Sequence, residues 1–166
     1  EQLRTRPLAV YGPPDTGRRV RALFAALYEK SAGEALSFPL EFPELSDGVA
    51  HAIGGVTVLP VRTPHAEELV CFAYRIEVAG RAILYSGDTA WNEALVALTH
   101  GADLFLCECS TYETRLGIHL AYPEIAARAR EFGCRRLLLT HLGSEPLRHR
   151  AELTLECAED GLVLEI

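Results

Sequence analysis

Three apolar runs in this chain carry or end on a side chain that binds metals or moves protons. Ile83-Leu84-Tyr85 passes through Ser-Gly to Asp88, the run 104–109 encloses Glu108, and Leu137-Leu138-Leu139 passes through Thr140 to His141. Runs this short and this apolar read as strands of a buried sheet. Between them, residues 90–99 have helical spacing, and so does the stretch from Pro123 to Phe132. The second has Pro in its first turn and Gly133 after its end. Strand, helix, strand, helix, strand over 81–141 predicts parallel sheet with covering helices. The polar residues at the strand ends then collect at the rim of a rigid sheet.

The first half is richer in hairpin signals. Residues 7–12 read as a short strand, turned by Pro13-Pro14-Asp15. Asp15 or Thr16 can cap a helix over about 17–30, where Val20, Leu23, Phe24 and Leu27 recur at helical spacing. Residues 55–61 alternate as a strand, and 70–78 and 81–86 form two strands joined by Ala79-Gly80. Gly161–Ile166 reads as a last short strand. The expected architecture is a mixed α/β layered fold in a single domain over 1–166.

The chain is 49% hydrophobic and carries a net charge of −7, which suits a folded domain and disfavours broad, sequence-independent nucleic-acid binding. A local basic groove stays compatible with that balance. No apolar run approaches the ~18 residues that span a bilayer, so no membrane partner is expected. No signal-peptide pattern is visible, although the chain begins with Glu rather than Met and a segment upstream stays open. Five cysteines, an odd number, fit reduced thiols and a cytoplasmic location. Cys107 and Cys109 form C-x-C, not the C-x₂-C of structural zinc sites, and read as small buried apolar residues.

Asp88 follows a strand and a glycine, where its oxygens can bridge two cations; the alternative is a cap for a helix starting near Ala90. His141 just past a buried strand is either a ligand or a core histidine with one backbone partner. His65 ends Val-Thr-Val-Leu-Pro-Val-Arg-Thr-Pro-His (56–65) and is either a ligand or a solvated loop residue. Together, two imidazoles and a carboxylate suit zinc, manganese or iron. Glu108 is costly within an apolar strand unless paired, and His119, in Gly-Ile-His-Leu-Ala-Tyr-Pro (117–123), is a candidate partner. Such a pair serves either as a general acid or base or as a structural ion pair. His51, His100 and His149 are expected at the surface.

In order and spacing these motifs resemble the metallo-β-lactamase-fold hydrolases, most closely the ribonuclease Z-like branch. The motifs are the His65 loop, the strand Phe72–Ile76, Tyr85-Ser-Gly-Asp88-Thr, Leu106-Cys-Glu108-Cys, His119-Leu-Ala and Leu139-Thr-His141-Leu. The resemblance implies a four-layer αβ/βα sandwich with two divalent metal ions, zinc first, at the edge where the sheets meet. It implies that His65 binds the first metal, Asp88 bridges both, and His141 binds the second. Glu108 and His119 resemble the family's acid pair, which assists the leaving oxygen. A metal-bridged hydroxide would attack a phosphodiester or ester.

The family's His-x-His-x-Asp-His motif is not in this chain, which leaves two donors per metal where zinc prefers three or four. The resemblance therefore implies the C-terminal two-thirds of such a domain. An N-terminal segment or a companion chain would complete the site, and this fragment alone is not expected to be fully active. Small phosphodiesters or esters are the favoured substrates. RNA 3′ processing is the alternative, disfavoured by the acidic balance and by the lack of a long insertion to grip tRNA. A homodimer fits as well. Two other classes stay open: a metal-free degenerate sandwich acting as an interaction module, and a structural-zinc protein using its cysteines.

Overall fold

The computed structural model describes residues 4–166, which fall into two compact units divided between Ser46 and Asp47. In the first unit, β1 (Leu8–Ala9) pairs in parallel with β2 (Leu40–Glu41), and α1 (Thr16–Leu27) lies between them in sequence. The strand expected over 7–12 is shorter than its pattern. Val10 and Gly12 still donate to Glu41 and Pro43, but Pro39, Pro43 and Pro13 have no N–H with which to continue a ladder. Asp15 precedes α1 in a left-handed conformation, with φ 71°, and makes no cap hydrogen bond. Its carboxylate instead pairs with Arg18 at 3.1 Å. α1 buries no residue; Val20, Leu23, Phe24 and Leu27 are 39–65% exposed.

The second unit is built on a six-stranded sheet, in the order β3 (His51–Ile53), β4 (Val56–Thr63), β5 (Cys71–Val78), β6 (Arg81–Tyr85), β7 (Leu104–Glu108), β8 (Arg136–Thr140). β3 to β6 are antiparallel, and β6 to β8 are parallel. The predicted hairpin is present, with Val78 opposite Arg81 and Ala79 and Gly80 at positive φ in the turn. α2 (Glu93–Thr99) and α3 (Tyr122–Arg128) supply the two crossovers, and α4 (Ser144–Arg148) follows β8. Leu84, Phe105 and Leu139 from the three parallel strands are fully buried with Leu95 of α2 and Ile125 of α3. Each such side chain contributes about 1.5–3 kcal/mol by leaving water.

The tail does not form the strand expected over Gly161–Ile166. The edge of β8 is met at Leu139 by Cys157, through hydrogen bonds to Glu156 and Ala158. The last residues therefore have no ladder position there. Cys107 and Cys109 are buried, as their place in an apolar strand predicts, and so is Cys157; all five thiols are free. Among the described residues no helix is long and apolar enough to cross a membrane.

Candidate metal centre

The parallel strands place their C-terminal ends side by side, and the candidate side chains extend from that rim. Gly87 makes the turn out of β6 possible. Its φ is +58°, and a Cβ there would lie 2.8 Å from the Phe72 carbonyl oxygen. Asp88 emerges directly after it. Asp88 is not the cap of α2; Asn92 fills that position, accepting from the Leu95 N–H at 2.9 Å. The Asp88 carboxylate instead lies between two imidazoles. His65 Nε2 is 3.9 Å from Oδ2, and His141 Nδ1 is 3.3 Å from Oδ1. His141 holds a left-handed backbone, with φ 52°, which is uncommon outside glycine and typical of functional sites.

His65 is fixed from behind. Its Nδ1 lies 2.8 Å from the Ile118 carbonyl oxygen, which makes Nδ1 the donor and leaves Nε2 free toward Asp88. Two donors on one cation, each at about 2.0–2.2 Å, lie up to about 4 Å apart. The His65–Asp88 and Asp88–His141 spans both match that range. Each pair of donors is therefore close enough to share a cation.

Glu108 lies beneath them, 1% exposed. Its Oε1 accepts the Thr89 N–H at 2.6 Å, and its Oε2 accepts the Ser110 hydroxyl at 2.7 Å. His119 Nδ1 lies 3.0 Å and 3.2 Å from the two oxygens. Glu108 and His119 therefore meet, and the buried carboxylate has its partners. Ser110 joins the two halves: its Oγ is also 3.2 Å from His119 Nδ1 and 2.9 Å from His141 Nδ1. Sequence reading passed over Ser110. The available signal was its position two residues after Glu108, on the same side of an extended chain.

The loop after Ser110 is tied down by Glu145 of α4, also passed over. Its Oε2 accepts the N–H groups of Tyr112, Glu113 and Thr114, and its Oε1 accepts the Thr114 hydroxyl. These bonds pull its carboxyl down to about 2, the Thr114 hydroxyl contributing most. His149, expected as a surface residue, is half-buried and stacks on Tyr112 with ring centres 4.2 Å apart. His51 begins β3, half-buried and away from the rim end of the sheet.

A family model described as a β-lactamase superfamily domain matches residues 1–142. The chain belongs to this superfamily. It is 33% identical over 137 residues to an uncharacterized protein of Mycobacterium tuberculosis, covering 80% of this chain and 49% of that protein. It is 29% identical over 154 residues to ribonuclease Z of a Mycobacterium species, covering 81% of this chain and 54% of that enzyme. The crystal structure of the metallo-β-lactamase-fold protein YhfI from Bacillus subtilis superposes with a TM-score of 0.70 at 25% identity, covering 96% of this chain and 65% of YhfI. The metallo-β-lactamase fold expected from the motifs is thus the fold found. This superfamily chain spans about half the length of the curated relatives it matches.

Proposed function

We propose that this chain provides one side of the active centre of a metal-dependent hydrolase acting on a phosphodiester or ester. The observation that carries the reading is Asp88, whose two oxygens each face a different imidazole, His65 and His141. In this reading His65 serves a first divalent cation, His141 serves a second, and Asp88 is shared. Zinc suits the donors best, and manganese or iron follows. When bound, the two cations would lower the pKa of water toward neutrality and neutralise the charge that builds at phosphorus. Further donors come from a segment or companion chain outside these residues.

Glu108 and His119 prepare proton delivery to the leaving oxygen. Three donors fix the Glu108 carboxylate, so it cannot rotate away from His119. Holding Nδ1 on Glu108 leaves His119 Nε2 as the nitrogen able to hand over a proton. The experiment is hydrolysis of bis-p-nitrophenyl phosphate by the full-length protein with added Mn²⁺. Metal-dependent hydrolysis that is lost in Asp88→Ala is expected, with Glu108→Gln lowering kcat by about 10²–10⁴-fold. Hydrolysis unchanged in Asp88→Ala would sink the proposal. An acidic domain favours a small substrate, but the likeness to a ribonuclease Z makes RNA 3′ ends the second substrate to assay. No metal uptake by the full-length protein at any concentration would favour the interaction-module reading.

A further inference from the structure

We propose that the depression beyond His141 is a subsite for one uncharged apolar or aromatic arm of the substrate. The inference rests on the hydrolase reading and narrows its substrate class. The depression encloses about 710 Å³, within the range of small-molecule sites, and opens directly beside His141. It is lined by Thr140 at the end of β8, by Leu147 of α4 and by the stretch 158–162.

Both sides are fixed in place. Glu145 ties α4 to the loop after Ser110 through four hydrogen bonds. The 158–162 stretch is held to the sheet edge where Ala158 donates to the Leu139 carbonyl, and it turns back where Leu162 donates to Glu159. Gly161, at φ +83°, permits that turn. A pocket held open before its ligand arrives gives up little freedom on binding.

Leu147 and Leu162 line the depression at 57% and 45% exposure, and half-buried Leu142 joins them. Apolar surface of this kind is favourably covered by an apolar group, which displaces its water. The charged groups there do not favour an anion. Arg150 is already paired with Glu159 at 3.2 Å, and Asp160 adds a carboxylate with no basic partner among the described residues. A second phosphate on this arm would meet that excess negative charge, whereas a phenyl or alkyl arm would not. The subsite thus suits a diester with a compact hydrophobic arm better than an RNA 3′ end, whose arms carry further phosphates.

The test is titration of the Zn²⁺-loaded full-length protein with diphenyl phosphate and with dimethyl phosphate, read by binding isotherms and by leucine methyl resonances. Diphenyl phosphate should bind at least about 10-fold more tightly and shift the Leu147 and Leu162 methyls. Leu147→Ser combined with Leu162→Ser should remove that preference while dimethyl phosphate binds as in the parent. Both side chains are exposed, so the exchange leaves the core intact. Asp160→Lys should strengthen binding of bis-p-carboxyphenyl phosphate. Equal or absent binding of the two diesters, a preference kept in the double variant, no gain in Asp160→Lys, or a short RNA 3′ end shifting the same methyls would overturn the inference. The two readings fail separately. Asp88-dependent hydrolysis with these methyls unmoved by diphenyl phosphate sinks the subsite alone. Methyl shifts and the preference without such hydrolysis keep the subsite and sink the hydrolase.

Discussion

Glu108 shows how a single residue can be expensive and still retained. A carboxylate at 1% exposure is tolerated because a backbone N–H, a hydroxyl and an imidazole all turn toward it. Glu145 is held by four donors at a less buried position, and there the consequence is visible in pH. Its carboxyl is lowered from the ordinary 4.5 to about 2. A lowered folded-state value means stabilisation that is complete above the ordinary range and lost as pH falls toward 2. Glu145→Gln should therefore have a lower urea midpoint than the parent at pH 7, with the gap closing between about pH 4.5 and 2. A gap independent of pH would show that the charge is not the cause. The thiols give a second check. Burial first, then the Cys157 thiol and Glu108, push Cys109 up to about 12, and burial also raises Cys107. Iodoacetamide at pH 8 should leave both unmodified in the folded chain while half-buried Cys71 reacts, with mass spectrometry reading the sites.

At the scale of elements, the strand ends do the positioning, and two glycines let them. Gly87 allows Asp88 to leave β6 beside the Phe72 carbonyl, and Gly143 lets the turn after His141 approach the Ser110 carbonyl. Gly87→Ala adds both a disfavoured φ and a clash with backbone. It should cost about 1–3 kcal/mol of stability, seen as a drop in Tm, and weaken metal uptake as Asp88 is displaced. An unchanged Tm would mean that the turn relaxes freely. The elements themselves were largely legible in the sequence. The Ala79-Gly80 hairpin, the two crossover helices and the three parallel strands fall where their patterns put them, because alternation, helical spacing and turn chemistry are local properties. The misreadings lie where an element depended on a partner, in the tail after Gly161 and the shortened β1, and α4 carried no pattern that was read as a helix.

For the whole molecule, a cation that binds only the folded chain must stabilise it. Free Zn²⁺ at 100 times its Kd should add about 2.7 kcal/mol, or roughly 5–10 °C in Tm, reversed by a chelator and absent in Asp88→Ala. A Tm indifferent to both Zn²⁺ and chelator would count against any cation site in this chain. The sequence alone determined that strands would deliver His65, Asp88, Glu108 and His141 to a sheet rim, since the period and the glycine breaks are written along the chain. Tertiary structure alone decided that Asp88 faces two imidazoles instead of capping α2. It also brought His119 against both Glu108 and His65, and made Ser110 and Glu145 the ties between loops. The physical reason is that convergence of residues far apart in sequence depends on strand register and crossover packing, which no local pattern specifies.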